Sequence, residues 1–125
     1  MIAGTGVDLA EVDRIREAIS RFGDRFIHRI YTEREIAYVQ RKANRYERYA
    51  ARFAAKEAGM KALGTGWRRG IQWKDFEVVN LPSGRPTLLL HGEAEKIARD
   101  IGVVHIHLSL THTVKDGLAY VIFER

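Results

Sequence analysis

The sequence lacks cysteine, has only two prolines and contains no apolar run long enough to span a membrane. The absence of cysteine excludes disulfides and thiol nucleophiles, and it is typical of proteins in the reducing cytoplasm. The start, MIAGTGVDLA, has no basic segment ahead of an apolar one, so we expect no signal peptide. These absences together predict a cytoplasmic protein with no membrane partner.

The chain of 125 residues has the size of one domain, and 46% apolar residues are enough for one hydrophobic core. The 30% charged residues carry a net charge of +5. The charge is uneven, because residues 41–74 hold ten Lys and Arg against two Glu, a net +8. Such a segment suits an anionic partner, either nucleic acid, a phosphorylated small molecule or an acidic protein. A solvated helix face is the simpler alternative.

The residue pattern predicts a single α+β domain over residues 1–125, with an antiparallel or mixed sheet and a long central helix. Helices are expected at 11–22, after the capping box of Thr32 and Glu35, at about 47–63, and at 92–101. On the first helix, Arg14, Arg21 and Arg25 fall on one line. Strands are expected at the start of MIAGTGVDLA (followed by a loop), in GIQWKDFEVV, TLLL and VVHIHLSLTHT, and in GLAYVIFE after the hairpin turn VKDG.

One carboxylate of the long helix lies where a core residue is expected. At 100° per residue, Glu57 falls in the middle of an apolar stripe with Phe53, Ala54 and Met60, and Lys61 follows one turn later. A surface Glu–Lys pair is the simpler interpretation. The apolar stripe favours a carboxylate that binds a cation, a metal or a hydrogen-bond donor.

A second carboxylate, Asp8, follows the first predicted strand and precedes a helix. With Glu11 three residues later, it fits a helix N-cap. Asp8 and Glu57 together could instead hold a divalent cation such as magnesium, which takes few protein carboxylates and shares its other positions with water and phosphate.

The segment HIHLSLTHT places His105, His107, Ser109 and Thr111 on one strand face, and His112 at the strand's end. A zinc site and a Ser–His hydrolase are both weakly supported, because cysteines, a nucleophile elbow and an orienting acid are missing. A polar face in water is the simpler interpretation. The residues by themselves indicate a basic domain with a candidate two-carboxylate metal site and name no reaction.

Four blocks, GTGVDLAEVDRI, RFAAKEAGMKALGTG, WKDFEVVNLPSGRP and HLSLTHT, occur in an order and spacing that extend over essentially the whole chain. In these blocks the sequence resembles the holo-[acyl-carrier-protein] synthases, the short type of 4′-phosphopantetheinyl transferase. The resemblance implies the transferase fold, a homotrimer with sites between subunits, and magnesium as cofactor. It also implies transfer of the phosphopantetheine arm of coenzyme A to a serine of acyl carrier protein, releasing 3′,5′-ADP, in fatty acid biosynthesis.

The resemblance also implies roles for individual residues. Asp8 and Glu57 would bind magnesium, and Lys61 would lie near the reacting phosphates as a clamp or proton acceptor. The residues implied at the coenzyme A site are Lys56, Lys61, Gly64, Gly66, Gly84, Arg85, Pro86, Ser109 and His112. The residues implied in carrier docking are Arg14 and Arg21. The base that takes the serine proton is not identified, and the candidates are a metal-bound water or hydroxide, Glu57 and Lys61.

Family members often carry a large residue where this chain has Gly59, so we expect a local change in packing. Two other functional classes remain as alternatives. A nucleic-acid-binding domain would explain the basic segment, and its binding would weaken steeply with salt. A metal-dependent phosphohydrolase would use Asp8 and Glu57 without any carrier protein. A relative of the transferases that loads a different carrier is a third alternative.

Overall fold

The computed structural model describes residues 1–66 and 70–125, so Arg68 and Arg69 of the basic segment lie outside the described residues. Five α-helices are described. They are α1 (Val12–Phe22), α2 (Asp24–Ile30), α3 (Glu33–Gln40), α4 (Arg45–Leu63) and α5 (Gly92–Asp100). Within the described ranges no helix is long and apolar enough to cross a membrane.

The strands form two antiparallel sheets. They are β1 (Ile2–Glu11), β2 (Phe76–Asn80), β3 (Pro86–Leu90), β4 (His105–His112) and β5 (Asp116–Glu124). β5 is the central strand of a three-stranded sheet, with β1 and β4 on its two sides, and β2 pairs with β3 as a separate hairpin. The α+β class, the long central helix and the β4–β5 hairpin are therefore confirmed.

Glycines on the strands let the three-stranded sheet approach α4 very closely. A Cβ added to Gly4 or Gly6 of β1 would overlap the carbonyl oxygens of Ala62 and Ala58. A Cβ added to Gly117 of β5 would likewise overlap the backbone nitrogen of Ala51. Only residues without a side chain fit such contacts, and the register they impose fixes where β1 lies along the helix.

Three local expectations were wrong. β1 does not turn into a loop before Asp8 but continues to Glu11, which is the N-cap of α1 without a side-chain cap bond. α1 ends at Gly23, whose φ of +58° breaks the helix, so Arg25 belongs to α2 and not to the line of Arg14 and Arg21. Residues 73–75 form a 3₁₀ turn before β2 begins.

Candidate active site

Asp8, Glu57 and Lys61 come together where β1 crosses the second half of α4. Lys61 Nζ donates to Asp8 Oδ1 at 3.0 Å and to the carbonyl oxygen of Val7 at 3.1 Å. The Glu57 carboxyl lies within hydrogen-bonding range of Asp8 and within the field of Lys61. Asp8 is 49 or more residues away in sequence from Glu57 and Lys61. The close approach of Gly4 and Gly6 to the helix brings the three side chains into one cluster.

The Glu57 carboxyl has lost much of its preference for the charged form. Burial, followed by the hydrogen bond to Asp8 and the Asp8 charge, raises its pKa to about 7, and Lys61 only partly opposes this. Two carboxyl groups this close cannot both ionise readily without a cation between them. A positive ion bound beside Glu57 would favour the charged form of its carboxyl group.

A cleft of about 400 Å³ opens over this cluster. Its lining is formed by Glu57, Met60, Lys61, Gly64 and Gly66. Gly64 and Gly66 adopt φ values of +81° and +60°, which end α4 and turn the chain past the carboxylate. The predicted site residues of the GTG segment thus lie beside Glu57 and Lys61.

A second groove, of about 440 Å³, runs from Glu57 to the first helix. Arg14 lies on it with apolar residues that include Ile15, Phe26 and Phe53. Arg14 is highly exposed and only loosely paired with Glu11, at 3.8 Å. A partner that binds α1 would therefore lie next to the carboxylate pair.

Lys56 does not line either cavity. Its side chain is fully buried, and Nζ donates to Glu35 Oε1 at 2.8 Å and to the carbonyl oxygen of Phe76 at 2.6 Å. Glu35 Oε2 in turn accepts from the backbone N–H of Val78 at 2.8 Å. The expectation that Lys56 contacts coenzyme A does not fit this geometry, because the ammonium has no exposed surface.

The other predicted cofactor residues lie on different elements and are absent from the described lining of the cleft. Gly84 and Arg85 lie in the exposed turn before β3, which Pro86 begins. Ser109 is exposed on the face of β4 that points away from α4. One chain therefore does not bring these residues to Glu57.

His112 is held by a residue that the sequence did not single out. Its Nδ1 lies 3.0 Å from Glu47 Oε1, and both side chains are mostly buried. The two residues are 65 positions apart, so no local pattern could connect them. The pairing leaves Nε2 of His112 as the ring nitrogen available to another group.

The donor set of the carboxylate pair fits a small hard cation. Both groups are carboxylates, and within residues 1–66 and 70–125 no third His, Asp or Glu joins them. Magnesium is typically bound in this way, by one or two carboxylates with water and phosphate oxygens in its other positions. Burial and the neighbouring Asp8 raise the pKa of Glu57, and a cation bound between the two groups would lower it.

Comparisons with known proteins agree over the whole chain. The family model of the 4′-phosphopantetheinyl transferase superfamily matches residues 4–117. A holo-[acyl-carrier-protein] synthase of Solibacter usitatus is 68% identical over 99% of both chains, and that of Koribacter versatilis is 57% identical over the same shares.

Solved structures show the same relationship. The holo-[acyl-carrier-protein] synthase of Neisseria meningitidis has a TM-score of 0.90 at 32% identity and covers 100% of both chains. A synthase of Bacillus anthracis, solved in complex with coenzyme A (3′,5′-ADP), has a TM-score of 0.78 at 34% identity, over 98% of this chain and 96% of that one. The chain belongs to the 4′-phosphopantetheinyl transferase superfamily.

Proposed function

We propose that this protein is a holo-[acyl-carrier-protein] synthase, which transfers the 4′-phosphopantetheine group of coenzyme A to a serine of apo acyl carrier protein. The observation that carries the proposal is the cluster of Asp8, Glu57 and Lys61 under an open cleft, in a chain 68% identical to a protein of that name. The reaction supports fatty acid biosynthesis and takes place in the cytoplasm.

The bonds that change follow from the substrates. The serine oxygen forms a bond to the β-phosphorus of coenzyme A, and the bond from that phosphorus to the oxygen of 3′,5′-ADP breaks. The serine proton passes to a base, for which water, Glu57 and Lys61 remain the candidates. Negative charge grows on the departing phosphate, so a cationic group beside it lowers the barrier. Lys61, which is more than half exposed at the mouth of the cleft, can swing from Asp8 to that phosphate.

Magnesium is the proposed cofactor, and Asp8 and Glu57 are the residues that would hold it. When bound, it would neutralise charge on the pyrophosphate oxygens. Glu57 must be ionised to bind the ion, which its pKa of about 7 permits at neutral pH. Lys61, the only cation paired with Asp8 among the described residues, would then be free to leave Asp8 and contact the substrate.

A homotrimer with sites between subunits would complete the active site. Its support is the face of the three-stranded sheet opposite α4, which carries exposed apolar side chains at its centre: Val7, Leu9, Leu118 and Tyr120. Leu118 and Tyr120 lie on the central strand, where an uncovered apolar face is unusual for a stable monomer. Ser109 pairs with Tyr120 in register on this same face, so a neighbouring subunit would reach a predicted cofactor residue.

Carrier docking on α1 has a similar basis. Arg14 and Arg21 are both exposed on this helix, and the groove under Arg14 leads to Glu57. An acidic carrier helix bound to this surface would place its acceptor serine near the cleft. Reversing one charge, in Arg14→Glu, should raise KM for the carrier about tenfold or more with little effect on coenzyme A binding. Arg99→Glu on α5 is the matched control and should leave both unchanged.

The proposal is tested by weighing the carrier. Apo acyl carrier protein, coenzyme A and magnesium are mixed with the protein, and the intact mass of the carrier is followed with and without a chelator. A gain of one phosphopantetheine that the chelator abolishes supports both the reaction and its cofactor. Loss of coenzyme A without any carrier would instead favour a phosphohydrolase. Salt-sensitive binding of DNA or RNA in a protein that modifies no carrier would favour a nucleic-acid-binding domain.

A further inference from the structure

Glu47 lies in the first turn of α4 and holds the histidine that ends β4. Its Oε1 is 3.0 Å from Nδ1 of His112, and the Glu47 and His112 side chains are only 23% and 29% exposed. Within residues 1–66 and 70–125, the Glu47 side chain makes no other hydrogen bond or ion pair. The carboxylate therefore has a single partner there, and that partner is a residue implied at the coenzyme A site.

The close contact between the β4–β5 hairpin and α4 sets the geometry of this pair. His112 lies opposite Gly117 in the register of the hairpin, and a Cβ added to Gly117 would overlap the backbone nitrogen of Ala51. Ala51 follows Glu47 by four residues, about one helical turn, so both lie on the same face of α4. Backbone contact, rather than a flexible loop, thus brings the ring next to the carboxylate.

The side of the ring that faces a carboxylate differs among the histidines. Two of the others face a glutamate through Nε2, whereas His28 faces Glu33 through Nδ1 at 3.1 Å. The His28 and Glu33 side chains are much more exposed, at 48% and 82%, so water competes for both groups. His112 combines a carboxylate on Nδ1 with a mostly buried pair, and His28 provides a matched comparison.

We propose that Glu47 is a positioning residue, which keeps a proton on Nδ1 of His112 and so directs Nε2 toward coenzyme A. The contact with coenzyme A rests on the proposed function, whereas the position of the proton does not. A carboxylate oxygen can only accept a hydrogen bond, so the ring nitrogen beside it carries the hydrogen. Nε2 is then an acceptor in the neutral ring and a donor when both ring nitrogens are protonated.

A purely structural role explains this pair less well. An ion pair that is partly exposed adds little to the stability of the folded chain. Glu47 does not belong to the lining of the cleft over Glu57, so its effect on a ligand has to pass through the His112 ring.

The position of the proton is measured by ¹⁵N NMR of the imidazole rings, under conditions in which the His112 ring is neutral. Protonated and unprotonated ring nitrogens differ in chemical shift, and the signals absent from His112→Ala identify this ring. In the wild type we expect Nδ1 to carry the proton and Nε2 to be unprotonated. In Glu47→Gln the amide can either donate or accept, so we expect a mixture of the two tautomers.

Glu33→Gln is the matched control, since it removes the carboxylate beside Nδ1 of the exposed His28. The His112 signals should be unchanged in this variant. A proton on Nε2 of His112 in the wild type, or the same tautomer in the wild type and in Glu47→Gln, would overturn the proposal. The wild-type spectrum decides the first point even if Glu47→Gln does not fold, and no enzymatic activity is needed.

The effect on coenzyme A is measured by calorimetric titration, which needs no carrier protein. Glu47→Gln should weaken the Kd for coenzyme A about tenfold, as for the loss of one hydrogen bond to a charged group, while Glu33→Gln stays within about twofold of the wild type. If Glu47 acts through the ring, Glu47→Gln combined with His112→Ala should bind no more weakly than His112→Ala alone.

Additive losses in the double variant, or unchanged binding in Glu47→Gln, would overturn the positioning role. A wild type that does not bind coenzyme A would overturn the contact together with the proposed function, whereas NMR alone decides the position of the proton.

Discussion

At the scale of single residues, the position of Glu57 on its helix was the most informative feature of the sequence. Its position in an apolar stripe predicts a carboxylate that binds a cation, a metal or a hydrogen-bond donor. In the structure Glu57 lies beside Asp8, and burial and Asp8 raise its pKa to about 7. The pairs Lys56–Glu35 and His112–Glu47 could not be predicted in this way. Their members are 21 and 65 residues apart, and only the tertiary fold brings them together.

The titration of Glu57 gives a prediction for stability against pH. Because its folded-state pKa lies above the unfolded value of about 4.3, the folded chain keeps this proton longer. The stabilisation is complete below about pH 4.3 and is lost as the pH rises through about 7. In the presence of a chelator, the free energy of unfolding at pH 5 should exceed that at pH 8 by about 1 kcal/mol more in the wild type than in Glu57→Gln, after a discount for solvent screening.

Urea unfolding at the two pH values measures this difference. Since other groups titrate over the same range, only the comparison between wild type and Glu57→Gln is interpreted. Identical pH dependence in the two proteins would show that Glu57 keeps its ordinary pKa. Added magnesium should shrink the pH effect of the wild type, because a bound cation favours the charged form of Glu57 and lowers its pKa.

Lys56 gives a prediction that separates a core role from a cofactor role. Removing the ammonium in Lys56→Met leaves Glu35 buried with one partner fewer, so the free energy of unfolding should fall by about 3 kcal/mol or more. Urea unfolding of the single variant and of Lys56→Met with Glu35→Gln measures the coupling. A variant with full stability but weakened coenzyme A binding would contradict the structural role and restore the role implied by the family resemblance.

At the scale of elements, β1 and α4 position the site, and their contact depends on Gly4, Gly6 and the alanines of the helix. The long helix, α5 and the β4–β5 hairpin followed from periodicity and turn residues. The break at Gly23 did not, since a glycine within an amphipathic run is compatible with either a continuous helix or an end. The length of β1 was underestimated because Asp8 and glycine are disfavoured in strands. Here Gly4 and Gly6 are required in β1, since a larger residue would overlap the backbone of α4.

Gly59 tests the packing inside α4. Alanine in a helix interior is usually more stable than glycine by about 1 kcal/mol. Here a Cβ would lie 2.8 Å from Cδ1 of the buried Phe76 ring and 3.3 Å from Leu88. Gly59→Ala should therefore destabilise the protein by about 1–3 kcal/mol.

Denaturant unfolding of Gly59→Ala, Phe76→Leu and the double variant completes this test. If the Phe76 ring causes the loss, the double variant is more stable than the sum of the single effects predicts. Additive losses would place the cause elsewhere. A Gly59→Ala protein that is more stable than the wild type would contradict the packing described here.

At the scale of the whole molecule, the exposed residues among the predicted site residues lie on different surfaces, and Lys56 lies in the core. Glu57 and Lys61 line one cleft with Gly64 and Gly66, and Asp8 accepts a hydrogen bond from Lys61. The remaining predicted cofactor residues lie elsewhere, which the sequence could not reveal because it holds no information on which copies of the chain meet. We propose that a trimer joins the two surfaces, so that two inactive variants should regain activity when they assemble into mixed trimers.

Asp8→Asn and His112→Ala should each be inactive as pure proteins. If each site takes Asp8 from one subunit and His112 from another, unfolding and refolding the two together creates some sites with both wild-type residues. Activity should then return to roughly a quarter of the wild-type level at equal mixing, in a species whose mass by light scattering is three chains. Monomers, or trimers whose mixtures stay inactive, would contradict the shared site.

The most direct test of the central claim compares the wild type with Glu57→Gln by the intact mass of the carrier. The change keeps the size of the side chain and removes its negative charge at the proposed magnesium site. We predict a gain of one phosphopantetheine with the wild type and at least about a thousandfold slower gain with Glu57→Gln, at unchanged far-ultraviolet circular dichroism. A folded Glu57→Gln protein that loads the carrier at the wild-type rate would contradict the assignment of this cleft as the active site.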